Sequence, residues 1–410
     1  MPSHLLHNRD FVIALVSRAG SLFGDEVALV ALTLRLQGAG GHPWQVAVLL
    51  GAGTVPLILL SSIVGRIVDS ADSKRILLVA TVAETAACAP LIFTHNFAVM
   101  VGLVAAIAAA SSVSSTTWQA LTPTMVGESQ IGRATSASQT AFALGAVGAP
   151  AVAGLLSGLF GTGVPLALDT ASFTLMTVAA LTIRSRRHVS QTQGEGSARS
   201  GWVVLRHDHL LGTLVAGLSV FVFFGMMVNV VGVFLVRVTL HASTAWYGGT
   251  EAIWTVGIIV GSVLAGKFGG DLVRARAAVA GAVVIALSLI AYAVVPSVVW
   301  LLPIGLLGGA GNGLVNVCVS TLITTRTADH LRGRVFATLG ASVATASIFS
   351  LAIGGIVGGV ISPRHVYLAA GACSLAAAAL MGIRMARSWH AAPSTGEPTT
   401  TDAGVLVPAE

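Results

Sequence analysis

Long apolar runs, separated by short polar segments, cover most of this 410-residue chain. About 20 apolar residues suffice to cross a bilayer as an α-helix, and reading from charge to charge gives twelve such runs. The runs do not alternate polar and apolar residues as the strands of a membrane barrel do, so they predict helices. The predicted spans lie at 11–36, 44–68, 76–94, 97–121, 134–160, 164–183, 209–236, 246–267, 277–296, 298–322, 335–361 and 365–386.

The composition agrees with a protein that faces lipid. Charged residues make up 9% of the chain, whereas soluble domains carry about 25%. So few charges cannot cover a water-exposed surface, and the net charge of +6 therefore concerns orientation in a membrane, not binding of nucleic acid. The three cysteines lie inside apolar runs and form neither a disulfide framework nor a metal-ligand spacing.

The basic residues predict how the chain is oriented. With the N-terminus in the cytoplasm, 18 of the 22 Lys and Arg residues lie on the cytoplasmic side, and Arg35, Arg237 and Arg364 lie on the other. This positive-inside bias predicts an even number of spans and two cytoplasmic termini. Arg is ten times as common as Lys, which is typical of GC-rich bacterial genomes and favours a bacterial plasma membrane.

An internal repeat divides the chain into two similar parts. A shift of 201 residues places Gly65-Arg66 on Gly266-Lys267, and other loop signals and small residues coincide as well. An offset of six spans means that the halves run parallel, related by an axis along the membrane normal. We expect a first half at 1–183, a cytoplasmic linker at 184–208, a second half at 209–387 and a disordered tail at 388–410.

The loop after the second predicted span carries a recognisable motif. Its sequence GRIVDSADSKR resembles the cytoplasmic loop of the major facilitator superfamily, with Gly65, Asp69, Lys74 and Arg75 in register. The resemblance implies an all-α membrane protein of twelve transmembrane helices in two parallel six-helix halves. It also implies a conformational gate, in which Asp69 meets the start of span eleven and pairs with Arg133 or Arg334.

Other segments resemble one branch of that superfamily. Ser70 and Asp72 stand where Arg and Gly are usual in the loop, and an acid at the latter position is similar to the drug-exporter branch that includes macrolide-efflux and enterobactin-export proteins. The segments SLFGDEVALVAL, ALDTASF and ADHLRGRVF resemble the same branch. The alternative interpretation is that the charges of the loops only fix topology, which we prefer for Lys74 and Arg75 but not for Asp69.

Acidic residues inside spans are candidates for chemistry, because a charge near the bilayer centre costs about 2.5–3.5 kcal/mol. Asp25 lies near the middle of span one, and Arg18, Ser21 and Asp25 share one helix face. We predict that this face lines water or substrate and that Asp25, together with Glu26, carries a proton. The alternative is a structural ion pair between Asp25 and Arg18.

The remaining acids are not equivalent to Asp25. Glu251, in the outer third of span eight, is equally consistent with a site residue and with a structural one. Asp169 in span six and Glu84 in span three are expected to serve packing. The acids of span one were not duplicated, since the 201-residue shift places Asp25-Glu26 on Met226-Met227.

The second half offers adaptable and polar contacts for a ligand. Met226 and Met227 suit loosely specified apolar ligands, although ordinary apolar packing explains them equally well. Asn312 and Asn316 lie one turn apart on span ten and are predicted either to bond substrate or to bond neighbouring helices. The substrate site is predicted between the halves near the midplane, touching span one at Asp25 and span ten at the two asparagines. Gly309, Gly311 and Gly313 leave room on span ten for a ligand or a close helix.

These observations predict a secondary exporter of a small, largely apolar drug or natural product in exchange for protons. The alternatives are a siderophore exporter of the same fold and a non-transporting membrane sensor or scaffold. An enzyme is not expected, because no nucleophile–base or metal-ligand set lies at cavity depth, and no cofactor is expected. The expected partners are a small-molecule substrate, protons and the bilayer, with the chain acting as a monomer.

Overall fold

The computed structural model describes residues 8–70, 72–127, 130–183, 209–327 and 329–391. The predicted linker and most of the predicted tail lie outside these residues, although the last helix continues past the expected boundary at 387. The described α-helices are α1 (Arg9–Gly38), α2 (Pro43–Leu59), α3 (Ser61–Ser70), α4 (Ser73–Cys88), α5 (Phe97–Val126), α6 (Ile131–Phe160), α7 (Gly163–Thr182), α8 (His209–Phe234), α9 (Thr244–Ala265), α10 (Asp271–Val294), α11 (Leu301–Arg326), α12 (Asp329–Val360) and α13 (Pro363–Ala391).

The helices agree with the twelve predicted spans. Among the described residues, ten helices are long and apolar enough to cross a membrane by themselves. The first and second spans differ for physical reasons. Three charges, Arg18, Asp25 and Glu26, interrupt the apolar part of α1. The second span is divided at Leu60 into the 17-residue α2 and the 10-residue α3.

Polar side chains and glycines mark where the helices begin and end. Asn8, Asp72 and Asn96 each accept a hydrogen bond from a backbone N–H two or three residues on, at 3.2, 2.8 and 3.2 Å. Such caps satisfy N–H groups that have no partner within the helix. Gly127 and Gly161 follow α5 and α6 with φ of 76° and 80°, a conformation that favours glycine. Asp72, unusual in the loop motif, therefore has a structural role as the cap of α4.

The packing of the helices repeats between the two halves. In the first half α1 packs on α6 and α7, α4 packs on α5 and α7, and α2 packs on α5. In the second half α8 packs on α12 and α13, α10 packs on α11 and α13, and α9 packs on α11. Each contact in the first set has its equivalent in the second, as parallel six-helix repeats require. The halves meet through another equivalent pair, α6 with α9 and α2 with α12.

The bundle has two distinct ends. We call the end with Arg66, Arg133, Arg274, Arg326 and Arg334 the basic end, and the other the opposite end. At the opposite end Arg35 donates hydrogen bonds to the carbonyl oxygens of Ile92 and Thr94 (3.2 and 3.0 Å).

Arginines also bind carbonyl groups at the opposite end of the second half. Arg364 donates to the carbonyl oxygens of Ala293 and Val295 (3.3 and 2.8 Å), which lie 201 residues after the two that bind Arg35. Arg237 donates to the Ala242 carbonyl oxygen at 2.6 Å. Carbonyl groups at helix ends lack partners within the helix, so the three basic residues that depart from the positive-inside pattern all stabilise loops.

The apolar core is distributed unevenly between the two ends. At the opposite end one continuous cluster of buried side chains includes Val27 and Leu49 from the first half and Val231 and Val366 from the second. Toward the basic end each half has a separate cluster. The halves are therefore joined at the opposite end and separated toward the basic end.

Glycines permit the close approach of the halves at the opposite end. A methyl group added to Gly154 would lie 2.6 Å from a carbonyl oxygen of α9 and 2.9 Å from the Cα of Gly248. A methyl group added to Gly355 would lie 3.0 Å from the Cα of Trp44 on α2. We call these two contacts the glycine seam. The spacing Gly355-x-x-x-Gly359 predicts close helix packing at both positions, but Gly359 has no neighbour within 4 Å of such a methyl group.

Candidate functional site

A cavity of about 200 Å³ lies within the second half, between α8, α9, α10, α11 and α13. Sequence reasoning placed the substrate site between the halves, with Asp25 as a contact. Asp25 does not line this cavity, whose walls belong to the second half alone. The polar and aromatic residues of its lining are Phe221, Asn229, Thr250, Glu251, Trp254, Tyr292, Asn312, Asn316 and Tyr367.

Four of the predicted site residues meet at this cavity: Met226, Glu251, Asn312 and Asn316. The side-chain amide of Asn316 donates to the backbone carbonyl oxygen of Asn312 at 3.0 Å and also to its side-chain oxygen. The two asparagines therefore form one polar unit on α11. The structure places Met227 elsewhere, because it is 5% exposed and packs against α12.

The glycines of α11 serve the packing of helices. They were expected to leave room for a ligand or for a close helix. Methyl groups added to Gly309 and Gly311 would come within 3.0 Å of Gly257 on α9 and 2.6 Å of a carbonyl oxygen on α10. The neighbouring helix backbones therefore fill this space, and the asparagine unit projects from the remaining face of α11.

A second cluster of polar groups lies in the first half. Asp25, Glu84 and Asp169 come from α1, α4 and α7 and are close enough for their charges to interact. Glu84 is fully buried and accepts a hydrogen bond from the Ser114 hydroxyl at 2.6 Å, while its other oxygen has no partner. Asp169 is 2% exposed and accepts a hydrogen bond from the Cys88 thiol at 3.3 Å. We call these three acids the carboxyl cluster.

The carboxyl cluster differs from the sequence-based expectation in two respects. Asp169 and Glu84 were expected to serve packing separately, whereas the structure brings both to Asp25. Gly24, beside Asp25, allows this, because a methyl group there would lie 2.5 Å from an Asp169 oxygen. In the described part of the chain, no Lys or Arg forms a salt bridge with any of the three acids.

The face of α1 that carries Arg18 does not line the cavity. Ser21, expected on a wet face, is 5% exposed. The guanidinium group of Arg18 lies 5.1 Å from the centre of the Phe142 ring on α6, a cation–π geometry. The alternative, an ion pair of Arg18 with Asp25, is not formed, because the Arg18 guanidinium group lies at the Phe142 ring whereas Asp25 lies near Asp169 and Glu84.

Glu26 has the exposure that was expected of Asp25. Successive residues of a helix point about 100° apart, and Glu26 is exposed where Asp25 is partly buried. Its charge interacts with that of Glu251 on α9, so an acid of the first half lies within electrostatic range of an acid that lines the cavity.

Two polar stripes on equivalent helices were not identified from the sequence. The stripe on α11 continues from the asparagine unit to Ser320, and its members become more exposed toward the basic end. The 201-residue shift identifies an equivalent polar stripe on α5, in which Gln119, the residue nearest the basic end, is also exposed. The equivalent positions are Ser111, Ser115 and Gln119 in the first half and Asn312, Asn316 and Ser320 in the second.

The predicted gate residues lie at the basic end. Gly65 and Asp69 belong to α3, and the Asp69 side chain lies outside the described part of the structure. Arg133 and Arg334 are exposed near the starts of α6 and α12. Their pairing with Asp69 stays a prediction. Lys74, assigned to topology alone, donates hydrogen bonds to two carbonyl oxygens at the end of α7, at 2.7 and 2.9 Å.

Solved structures of transporters share this fold. A mutant of the nucleoside transporter NupG superposes with a TM-score of 0.73 at 12% identity, covering 92% of this chain and 100% of that one. The POT family transporter PepTSo gives 0.71 at 14% identity, covering 93% and 98%. A bacterial homologue of the human lysosomal transporter Spinster gives 0.68 at 12% identity, covering 92% and 95%. At such identities the likeness concerns the fold alone.

The sequence itself identifies the family. None of the curated proteins matches the chain. The sequence profile described as Major Facilitator Superfamily matches residues 14–269, which is more than half of the chain. Its two parallel six-helix halves and its transporter-like fold agree with that match. The chain is therefore a multi-pass membrane transporter, not an enzyme, and belongs to the Major Facilitator Superfamily.

Proposed function

We propose that this transporter is an exporter, which moves a small, largely apolar compound outward in exchange for protons. In this proposal the basic end is cytoplasmic, as the positive-inside bias favours, and the segment at 184–208 joins the halves on that side. The protein acts as a monomer in a bacterial plasma membrane. The outward direction is supported by the resemblance of its motifs to the drug-exporter branch.

The carboxyl cluster is the observation that carries the proton-coupled part of the proposal. Glu84 and Asp169 are buried, Asp25 lies partly buried beside them, and none of the three acids has a described basic partner. A carboxylate buried without a cation is costly, whereas a neutral carboxyl group can stay there with its hydrogen bonds made. A conformational change that admits water to Asp25 would permit ionisation, and its reversal would require a proton to be bound again. Such a cluster can therefore couple proton movement to the conformation of the protein.

The asymmetry of the two ends supports alternating access. The glycine seam and one continuous apolar core close the opposite end, whereas the cores toward the basic end are separate. The polar stripes become exposed in the same direction. With the basic end in the cytoplasm, this conformation accepts substrate from inside the cell.

The lining of the cavity supports a largely apolar substrate. Its walls are mostly aliphatic and aromatic, and Met226 adds a flexible side chain that adapts to different shapes. The asparagine unit, Asn312 with Asn316, offers the few directed hydrogen bonds that orient a ligand in such a site. Siderophores and macrolides both belong in a first panel of ligands, tested for thermal stabilisation of the purified protein.

Replacement of Asp25 tests the coupling. Asp25→Asn keeps the size of the side chain but cannot release a proton. We expect this variant to lose transport driven by an imposed pH gradient in proteoliposomes, while it keeps counterflow of the compound selected from the panel. Glu26→Gln is the comparison, because it removes the adjacent carboxyl group outside the carboxyl cluster.

The outcomes separate the alternatives. If Asp25→Asn responds to the pH gradient as the wild type does, the carboxyl cluster does not couple protons. If only Glu26→Gln loses the response, the coupling residue is Glu26. A wild-type protein that shows no counterflow of any stabilising compound would instead favour the sensor or scaffold.

A further inference from the structure

The cavity in the second half has a simple charge pattern. Among the described residues that line it, Glu251 is the one acid, and no Lys, Arg or His is present. The Thr255 hydroxyl donates to the backbone carbonyl oxygen of Glu251 at 3.1 Å, and no described side chain donates a hydrogen bond to its carboxylate. Glu251 therefore presents an uncompensated acidic group to whatever occupies the cavity.

Aromatic rings surround this acidic group. Trp254 lies one turn further along α9, and the rings of Tyr292 and Tyr367 are 5.6 Å apart on the other side of the cavity. The hydroxyl of Tyr292 donates to the Leu301 carbonyl oxygen at 3.0 Å, so its donor is already used. Aromatic faces carry a negative potential and attract cations, most strongly where water is excluded.

The surroundings add negative potential and no positive charge. The charge of Glu26, on α1 in the first half, interacts with that of Glu251. The asparagine unit supplies carbonyl oxygens, although one of its amide groups is used within the unit. An anion in this cavity would meet a carboxylate in a site of low dielectric, where like charges repel strongly.

We propose that this cavity binds organic compounds that carry one positive charge on an aromatic or apolar body. The cationic group lies against the Glu251 carboxylate and the Tyr292 and Tyr367 rings. The apolar body extends along Trp254 and Met226. This assignment rests on the proposed function, since it names the substrate class of that exporter.

The same pattern argues against anionic substrates. A carboxylate siderophore would bring negative charge to Glu251 without a basic residue to compensate it. The volume of about 200 Å³ also lies below the roughly 300–1,000 Å³ of sites for drug-sized ligands. Small probes that differ only in charge are therefore suited to testing the assignment.

Three soluble probes share one aromatic ring and one chain length. At neutral pH phenethylamine is a cation, phenethyl alcohol is neutral and phenylacetate is an anion. Their binding to the full chain in nanodiscs is measured by calorimetry without a pH gradient. We expect the wild type to bind the amine at least tenfold more tightly than the alcohol, which corresponds to about 1.4 kcal/mol, and to bind phenylacetate most weakly.

Variants identify the carboxyl group responsible. Glu251→Gln should bind the amine and the alcohol equally, whereas Glu251→Asp should keep the preference for the amine. Glu84→Gln is the matched control, since it removes a buried carboxyl group from the first half and should keep the preference. Retention of the preference by Glu251→Gln would overturn the proposal.

Two further results would also overturn it. One is a wild-type protein that does not bind the amine at millimolar concentration, and the other is one that prefers the alcohol or the acid. Equilibrium binding needs no proton gradient, so these results are independent of the experiment on Asp25. Cation selectivity without proton-driven transport would support this assignment and refute the proton coupling. Proton-driven transport without cation selectivity would refute this assignment and support the coupling.

Discussion

The glycine seam makes a quantitative prediction about which end of the transporter is closed. Gly355 on α12 faces α2, and the methyl group of Gly355→Ala would lie 2.8 Å from the Cβ of Ala47 and 3.0 Å from the Cα of Trp44. An ordinary contact begins at 3.4 Å, so the two helices must separate by about 0.6 Å at this point. The clash exists only while the opposite end is closed, because α2 and α12 belong to different halves.

The expected size of the effect follows from the cost of overpacking. Inserting one methyl group into a tightly packed contact typically costs about 1–3 kcal/mol. Since the cost falls on one of two conformations, the ratio of opposite-end-open to opposite-end-closed protein should rise by about 5- to 150-fold. Gly359→Ala is the matched control, one turn away on α12 with no neighbour within 4 Å. Both substitutions gain the same helix propensity, so the comparison cancels that contribution.

Distances between spin labels measure this ratio directly. The labels are placed on exposed residues of the two halves at the opposite end, away from α2 and α12, and distance distributions are recorded in nanodiscs. We expect Gly355→Ala to enlarge the long-distance population and Gly359→Ala to match the wild type. Identical distributions for the two variants would show that the seam does not determine the closed state.

Three other predictions concern stability and binding. Gly24→Ala should lower the free energy of unfolding by about 1–3 kcal/mol through its clash with α7, whereas Gly20→Ala, which has no neighbour within 4 Å, should not. Thermal unfolding compares the two variants, and equal melting temperatures would contradict the packing argument. Arg35→Ala should cost at least about 1.5–3 kcal/mol, the contribution of one hydrogen bond to a charged group, and an unchanged melting temperature would show that these bonds add nothing. Asn312→Ala and Asn316→Ala should each weaken binding of the selected compound by about 0.5–1.5 kcal/mol, and wild-type affinity in both would make them packing residues.

The spans could be predicted from the sequence because lipid imposes strict requirements. Every backbone polar group must be bonded within the membrane, so an apolar run of the right length can only be a helix. Even α1, whose apolar run is interrupted by Arg18, Asp25 and Glu26, was recognised from the positions of the basic residues around it. The 201-residue shift that revealed the two halves also relates the helix contacts of the first half to those of the second.

The orientation of side chains could not be predicted with the same success. Asp25 and Glu26 are adjacent, and the rotation of α1 decides which acid is exposed and which lies toward α4 and α7. The sequence does not contain that rotation, because Gly24 and Asp169, whose contact sets it, are about 145 residues apart. The position of the cavity was missed for a related reason, since the glycines of α11 pack against helices and leave the ligand space on another face.

The carboxyl cluster and the cavity occupy related positions in the two halves. The 201-residue shift pairs each acid of the carboxyl cluster with an apolar residue of the second half, in the order Asp25 with Met226, Glu84 with Ile285 and Asp169 with Ala370. Met226 and Ile285 line the cavity. Where the first half has interacting acids, the second half has apolar side chains beside an open space.

This correspondence gives the two proposals a common physical basis. A duplicated fold provides two similar interior sites, and each can hold either polar groups or a ligand. Acids in the first site suit it for protons, whereas apolar side chains leave the second site free for an organic compound with Glu251 as its single charge. The proton and the substrate would then bind in different halves, and one can influence the other only through contacts between the halves. Glu26 is adjacent to Asp25 on α1, and its charge interacts with those of both Asp25 and Glu251, so it is a candidate to carry such an influence between the halves.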